Sequence, residues 1–236
     1  MTTHNDLSIL AIDTATRGCS VALWQGGDVI GSAAEEMERG QSAALMPMIV
    51  KVLKESGKDF ADLNAFAVTI GPGAFTGLRI GLAAARGMAL AANLAVIGVS
   101  TLEAVAGAVP EQERQGKTIL VALDSKRADH YVQLFSATLE PLGEPQTSLP
   151  EDLPKLNFPT CLLPTGLLSN GLLIVGDATS SAVEALSNQN FTVQASAASG
   201  LPDAKVIAAL AAARWQQGER PQSMPQPLYL RTPDVN

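Results

Sequence analysis

The sequence has little of what disulfide, metal and nucleic-acid sites usually require. Two cysteines and two histidines in 236 residues exclude a disulfide framework, and they leave too few thiols and imidazoles for a metal centre. Basic residues are scattered singly, with Lys126-Arg127 the one adjacent pair, and the formal net charge is −7. A chain of this charge repels phosphate backbones on average, so we expect no nucleic-acid binding by the chain alone.

Long uninterrupted apolar runs are also missing. The most apolar stretch, residues 80–99, contains Arg86 and Asn93 and is interpreted as a helix, a turn and a strand instead of a membrane span. The first residues carry neither a basic nor an apolar signal region. We therefore expect a cytoplasmic protein with no membrane contact. Since 47% of the residues are apolar, the chain can bury a large core.

Short apolar runs alternate with helical patterns in the first half of the chain. The order of these elements is β-β-β-α-β-α-β. They are predicted at residues 8–13, 19–24, 28–34, 42–54, 65–70, 76–92 and 95–99.

The second half repeats the beginning of the first. A shift of 111 residues places Leu120–Ser125 over Ile9–Thr14, so that each half has a buried strand ending in an acid. Further strands are predicted at 172–175 and 191–195, and helices at 179–186 and 203–217. Because strand, acid, turn and second strand all coincide, the sequence predicts a duplication.

A duplicated β-β-β-α-β-α unit resembles the α/β plan shared by actin, heat-shock chaperone ATPases and sugar kinases, the ASKHA fold. We therefore expect an N-terminal lobe at residues 1–110 and a smaller, degenerate C-terminal lobe at 111–236. In that superfamily the two lobes enclose ATP. An aspartate at the end of each lobe's first strand faces the phosphates and their metal.

The resemblance implies a first phosphate loop at Asp13, Thr14 and Thr16, with ATP or ADP and Mg²⁺ as ligands. Asp13 can equally cap a turn, and the sequence leaves both interpretations open. The segment after Asp124 reads S-K-R-A-D and lacks the glycines that would let backbone N–H groups close around phosphate. We therefore expect the second phosphate cradle to be lost.

A glycine-rich loop beginning at Gly71 and Gly73 joins a predicted strand to the helix at 76–92. Its backbone N–H groups could bind an anion at the start of the helix. The alternative is that the glycines permit a sharp turn and close helix packing. The loop is not a Walker A motif, because no lysine precedes its threonine.

The two helices at 42–54 and 76–92 carry more apolar surface than one core contact requires. The first is apolar almost all round, and the second has a ridge of small residues that would allow another helix to approach closely. We predict that both bind a partner chain, with Glu103 as a further polar anchor; ordinary core helices are the alternative. The predicted interface residues are Leu45, Met46, Ile49, Val50, Leu53, Gly77, Leu78, Arg79, Gly81, Leu82, Ala85 and Met88.

Several of these segments together resemble the bacterial TsaB (YeaZ) family. They are I-L-A-I-D-T-A-T-R-G-C-S-V-A-L at 9–23, S-A-A-L-M-P-M-I at 42–49, the string that begins G-P-G-A-F-T-G-L-R-I-G at 71, and P-L-Y-L-R at 227–231. The match is dense over residues 8–135 and sparse afterwards. The glycine-rich string at 71 is the most specific part of it.

The resemblance implies a non-catalytic subunit of the machinery that makes N6-threonylcarbamoyladenosine next to the anticodon of tRNA. Its partners would be the catalytic paralogue TsaD and the ATPase TsaE, with TsaC supplying threonylcarbamoyl-adenylate and tRNA reached only through the complex. Alone, the chain would form a homodimer. Thr101 and Val105 stand where TsaD carries its H-x-x-x-H metal motif, so neither a metal site nor catalytic residues are expected. The alternative is a stand-alone actin-like ATPase or small-molecule kinase that uses Asp13 and Asp124.

Overall fold

The computed structural model describes residues 7–156, 171–189 and 191–231. Their contacts divide them into two compact units. The first unit comprises residues 7–104 and 202–229. The second comprises 105–156, 171–189, 191–201 and 230–231.

The strands and helices follow the predicted order. In chain order they are β1 (Ser8–Asp13), β2 (Gly18–Gln25), β3 (Asp28–Glu36), α1 (Gln41–Glu55), β4 (Ala65–Gly71), α2 (Phe75–Ala92), β5 (Ala95–Ser100), α3 (Thr101–Gly107), α4 (Glu111–Arg114), β6 (Thr118–Asp124), β7 (His130–Phe135), β8 (Gln146–Ser148), β9 (Leu172–Val175), α5 (Thr179–Ser187), β10 (Val193–Ala195) and α6 (Ala204–Gln216). Short 3-10 helices lie at Phe60–Asp62 and Pro150–Lys155.

The described residues form two five-stranded sheets with the same topology. The first has the order β3-β2-β1-β4-β5 and the second β8-β7-β6-β9-β10. In each sheet the first three strands are antiparallel, and the last two run parallel to the first. Asp13 is opposite Ser20 and Asp124 is opposite His130, so the acids end equivalent strands. The predicted duplicated α/β fold is confirmed.

The first sheet is covered by helices on both faces, which explains why β1 is apolar at every interior position. Leu10 and Ile12 pack in one core with side chains of α1 and α2. Ile9 and Ala11 pack in the other core with Ile207 and neighbouring alanines of α6. A strand buried on both faces shows a continuous apolar run instead of alternation.

Helix α6 belongs to the first unit, although it falls within the predicted C-terminal lobe. Arg214 of α6 donates to the carbonyl of Gly98 over 2.8 Å and pairs with the carboxylate of Glu103. The Glu103 carboxylate is therefore bound within the unit, and its role as an anchor for a partner chain stays a prediction.

A hydrophobic core of the second unit lies on one face of its sheet, and Ile119 and Val121 on the opposite face are buried as well. Leu120 and Ile174 of the central strands pack against Ala182 and Leu186 of α5, and Leu153 of the second 3-10 helix joins them. Among the described residues of either unit, no helix is long and apolar enough to cross a membrane.

Helix α2 lies directly against the loop that follows β1. A Cβ added to Gly77 would lie 2.1 Å from the carbonyl oxygen of Thr14, and one added to Gly81 would lie 2.6 Å from the Thr14 hydroxyl. Gly87, on the same helix, has no atom within 4 Å of such a position. The glycines at 77 and 81 therefore permit close packing inside the unit.

We expect Gly77→Ala to destabilise the protein by about 2 kcal/mol, because its methyl group would overlap backbone that has no room to move. Gly87→Ala is the matched control and should stabilise the protein by up to about 1 kcal/mol through helix propensity alone. Denaturant unfolding of both variants checks this. Equal effects of the two substitutions would contradict the packing described here.

Candidate functional site

The predicted phosphate loop begins at Asp13, the last residue of β1. Its side chain is 1% exposed, and Oδ1 accepts hydrogen bonds from the Thr69 hydroxyl at 2.6 Å and the Ala15 N–H at 3.1 Å. Burial raises the pKa of this carboxyl to about 6, although the bonds from Thr69 and Ala15 favour the ionised form. Such a group titrates close to neutral pH and is costly to keep ionised.

Two further polar groups of this region, the Thr14 hydroxyl and the Ala74 N–H, form hydrogen bonds within the chain, whereas the Thr16 hydroxyl does not. The Thr14 hydroxyl donates to the carbonyl of Gly77 over 2.7 Å. The Ala74 N–H, at the start of α2, donates to the carbonyl of Ala15 over 2.7 Å. The Thr16 hydroxyl is buried and has no hydrogen-bond partner among the described residues.

The two glycines of the 71–74 loop are likewise in contact with backbone. A Cβ at Gly73 would lie 2.3 Å from the carbonyl oxygen of Ala15, and one at Gly71 would lie 2.7 Å from that of Leu228. Gly71 has φ +114°, which favours glycine in addition to the lack of space. The structure therefore packs Asp13, Thr14, Gly71 and Gly73 against neighbouring parts of the chain, and nucleotide binding by these residues and Thr16 stays a prediction.

At the equivalent place in the second unit, the carboxylate of Asp124 binds groups of the turn that follows it. Its carboxylate accepts from the Lys126 N–H at 2.7 Å and pairs with the Lys126 ammonium group at 3.0 Å. Close by, the His130 ring nitrogen Nε2 lies 3.0 Å from the Ser181 hydroxyl. Burial lowers the pKa of His130, so this histidine is held neutral in a polar contact that sequence reasoning did not find.

The twelve predicted interface residues divide between the inside and the outside of the first unit. Met46 and Val50 of α1 are 43% and 55% exposed, and Arg79 of α2 is also exposed, whereas Met88 is half-buried. The other eight face the chain's own core; they are Leu45, Ile49, Leu53, Gly77, Leu78, Gly81, Leu82 and Ala85. The predicted interface residues that are exposed to a partner chain are therefore Met46, Val50 and Arg79.

One exposed apolar residue of α2 was missed from the sequence. Leu90 is 78% exposed, the largest exposure among the large apolar side chains described. Helices α1 and α2 pack on the same face of the first sheet, so their solvent-facing sides lie on the same side of that sheet. We call Met46, Val50 and Leu90 the outer face. Exposed apolar side chains on helices that already fill a core with their opposite sides are candidates for protein contacts.

A second feature missed from the sequence surrounds Arg79. Its guanidinium carbon lies 3.7 Å from the centroid of the Phe75 ring, and its Nε donates to the Tyr229 hydroxyl over 3.3 Å. The rings of Phe75 and Tyr229 are 5.5 Å apart. In the sequence, this contact was indicated only by the P-L-Y-L-R motif at 227–231, which contains Tyr229.

Comparison with known proteins decides the family. A family model described as TsaD, tRNA N6-adenosine threonylcarbamoyltransferase, matches residues 29–235. The "tRNA threonylcarbamoyladenosine biosynthesis protein TsaB" of Buchnera aphidicola subsp. Schizaphis graminum is 37% identical over 143 residues, which are 60% of this chain and 67% of that protein. The chain belongs to this TsaD-type family and, within it, to the TsaB (YeaZ) proteins.

Other TsaB relatives agree in sequence and in structure. The TsaB protein of Escherichia coli K12 is 44% identical over 126 residues, 53% of each chain. The chain thus spans about half the length of the first curated relatives it matches. The solved structure "YeaZ from Pseudomonas aeruginosa" has a TM-score of 0.77 at 28% identity and covers 95% of this chain and 100% of its own. The TsaB fold therefore extends beyond the region of closest sequence similarity.

The buried Asp13 carboxyl predicts a measurable pH dependence. Its folded pKa of about 6 lies above the ordinary value of 3.8, so the folded state holds more protons than the unfolded state between these values. The free energy of unfolding should therefore fall as the pH rises through this window, by about 3 kcal/mol in total.

Asp13→Asn keeps an oxygen acceptor for Thr69 and Ala15 and removes the titration. We expect its stability relative to the unchanged protein to rise between pH 4 and pH 6.5, measured by denaturant unfolding at each pH. Asp28→Asn, which removes an exposed carboxylate at the start of β3, is the control. Parallel pH profiles for the unchanged and Asp13→Asn proteins would contradict the assignment.

Proposed function

We propose that this chain is a non-catalytic subunit in the synthesis of N6-threonylcarbamoyladenosine in tRNA, and that it binds a TsaD-type paralogue through the outer face of α1 and α2. The names of its TsaB relatives and of the matching family model support the process. The observation that carries the binding role is the exposure of Met46, Val50 and Leu90 on helices whose opposite sides already fill the core.

The energetics favour a partner at this face. Burying a leucine or valine side chain that is otherwise exposed contributes roughly 1.5–3 kcal/mol. Leu90 and Val50 present most of their surface to water, so a helix packed against them would recover that contribution. A few well-packed side chains near the centre of a contact commonly carry most of its binding energy.

The closed Asp13 loop supports a binding subunit over a stand-alone ATPase or kinase. Phosphate binding needs free backbone N–H groups and accessible glycines. Here the Ala74 N–H and the Thr14 hydroxyl donate within the chain, and Gly73 lies against Ala15. We therefore assign any ATP or ADP with Mg²⁺ to the complex and not to this loop alone.

Metal chemistry is assigned to the partner for a similar reason. Thr101 and Val105, at the positions of the TsaD histidine motif, are both buried, and neither side chain is a good metal ligand. Across the described parts of the chain, no three histidine, cysteine, aspartate or glutamate side chains form a group that could hold a metal ion.

The remaining partners follow from the same arrangement. A TsaE-type ATPase would bind the surface that the chain and its TsaD-type partner form together, and a TsaC-type enzyme would supply the activated threonylcarbamoyl group. Without the paralogue, the outer face would pair with a second copy of the chain. The complex would act in the cytoplasm. tRNA would be contacted only through the complex, since the net charge of −7 disfavours binding by this chain alone.

Leu90→Asp tests the outer face. A carboxylate there would be buried without a partner on binding, so we expect the affinity for the TsaD-type paralogue from the same genome to fall by at least about 30-fold. Isothermal titration calorimetry measures this, and threonylcarbamoyladenosine formation in a reconstituted reaction should fall with it.

Leu149→Asp is the control, because Leu149 is an exposed leucine of the second unit and lies outside the outer face. It should leave both the affinity and the reaction unchanged. Binding of the Leu90→Asp variant as tight as that of the unchanged chain would rule out the outer face as the docking surface.

A further inference from the structure

Arg79 is held in one orientation on the surface of α2. It stacks on Phe75, one turn earlier in the helix, with 3.7 Å between the guanidinium carbon and the ring centroid. Its Nε donates to the Tyr229 hydroxyl, and Tyr229 in turn lies against Phe75. Stacking and a hydrogen bond together restrict a side chain that is ordinarily among the most flexible.

The segment that carries Tyr229 is itself fixed to the first unit. Its backbone N–H at Leu228 donates to the carbonyl of Ile70 over 2.7 Å. Arg86 donates to the carbonyl of Pro225, and Met224 packs against the core formed with α1 and α2. We call residues 224–229 the strap. Tyr229 is therefore a positioning residue for Arg79.

No carboxylate neutralises Arg79 within the part of the chain that the structure describes. The exposed guanidinium forms no ion pair with any described residue, and the first turn of α2 contains no acidic residue. By contrast, Arg214 pairs with Glu103 and Arg231 pairs with Asp129. An ordered arginine without an acidic partner is notable in a chain with 23 acidic and 16 basic residues.

We propose that Arg79, positioned by Phe75 and Tyr229, is a preformed anchor for a carboxylate side chain of the protein partner. The guanidinium group can donate two parallel hydrogen bonds to a carboxylate, and ordering it beforehand reduces the entropy lost on binding. This inference rests on the proposed function and extends the outer face toward the start of α2.

The surroundings of Arg79 favour a protein carboxylate over an RNA phosphate. Binding a phosphate backbone requires several cations in a row. The one other cation of α2, Arg86, donates to the strap, and the chain as a whole is acidic. Phe75 and Tyr229 are 38% and 36% exposed, and aromatic residues beside an arginine are typical of protein interfaces.

The test measures the affinity of the full chain for its TsaD-type paralogue by calorimetry at two salt concentrations. Arg79→Gln should weaken binding about tenfold at low salt and reduce its salt dependence. Arg79→Lys should recover only part of the loss, because a lysine cannot stack and donate in parallel. Tyr229→Phe should weaken binding about threefold by removing the positioning hydroxyl.

Two comparisons separate a positioned anchor from general charge or folding effects. In the Arg79→Gln background, Tyr229→Phe should have no further effect on affinity. Arg220→Gln is the matched control. Arg220 also stacks on a ring, 3.8 Å from that of Trp215, and its substitution removes the same charge, but its guanidinium donates to the backbone carbonyls of Trp215 and Glu219. Its affinity should equal that of the unchanged chain.

The outcomes distinguish this inference from the function on which it rests. If the unchanged chain does not bind the paralogue, both fail. If the chain binds and Leu90→Asp disrupts binding while Arg79→Gln binds as tightly as the unchanged chain, the anchor alone is overturned. If Arg79→Gln weakens tRNA binding by the assembled complex but leaves protein binding unchanged, the group recognised is a phosphate and the carboxylate proposal is wrong.

Discussion

The contact between helix α2 and the loop after β1 determines how the loop is closed and which side of the helix faces solvent. The Thr14 carbonyl and hydroxyl occupy the space that side chains at Gly77 and Gly81 would need. Because the helix approaches so closely, the Thr14 hydroxyl and the Ala15 carbonyl form their hydrogen bonds with the chain itself. The same approach fixes which side of the helix faces outward. Closure of the loop and exposure of Leu90 are thus two consequences of one packing contact.

Closing the loop buries the Asp13 carboxyl, which is energetically unfavourable for its ionised form. A carboxyl buried in the loop is held by Thr69 and Ala15, yet burial still raises its pKa to about 6. An amide at this position could accept the same two bonds without a charge to bury. The loop therefore keeps the residue type of a phosphate site, while its Gly73 lies directly against the carbonyl of Ala15. Its present role is to fix α2 against the first sheet.

Much of the fold was predictable because it depends on patterns that a sequence displays directly. Buried strands such as Ile9–Ile12 are continuous apolar runs, and two copies ending in Asp13 and Asp124 predict a duplication. Short β8, with the sequence Q-T-S, has no such pattern and was not predicted. The buried side of α6 was also not predictable, since alanines occupy both its buried and its exposed positions and mark no single apolar stripe.

The candidate surface was only partly predictable. In a helix that is apolar on every side, periodicity does not tell an inward stripe from an outward one, so Leu45 and Met46 were expected to act together. The structure separates them: Leu45 is buried and Met46 is exposed. The contact of Arg79 with Tyr229 joins residues 150 positions apart, and no local rule brings them together.

Hydrogen–deuterium exchange of the chain, free and mixed with its TsaD-type paralogue, tests the central claim most directly. The account predicts slower exchange on binding in α1 and in the C-terminal half of α2, with the loops at 13–16 and 71–74 unchanged. Protection of those two loops without protection of α1 and α2 would contradict it. In that case the Asp13 loop would be the functional surface, and the packing of α2 against it would have to open.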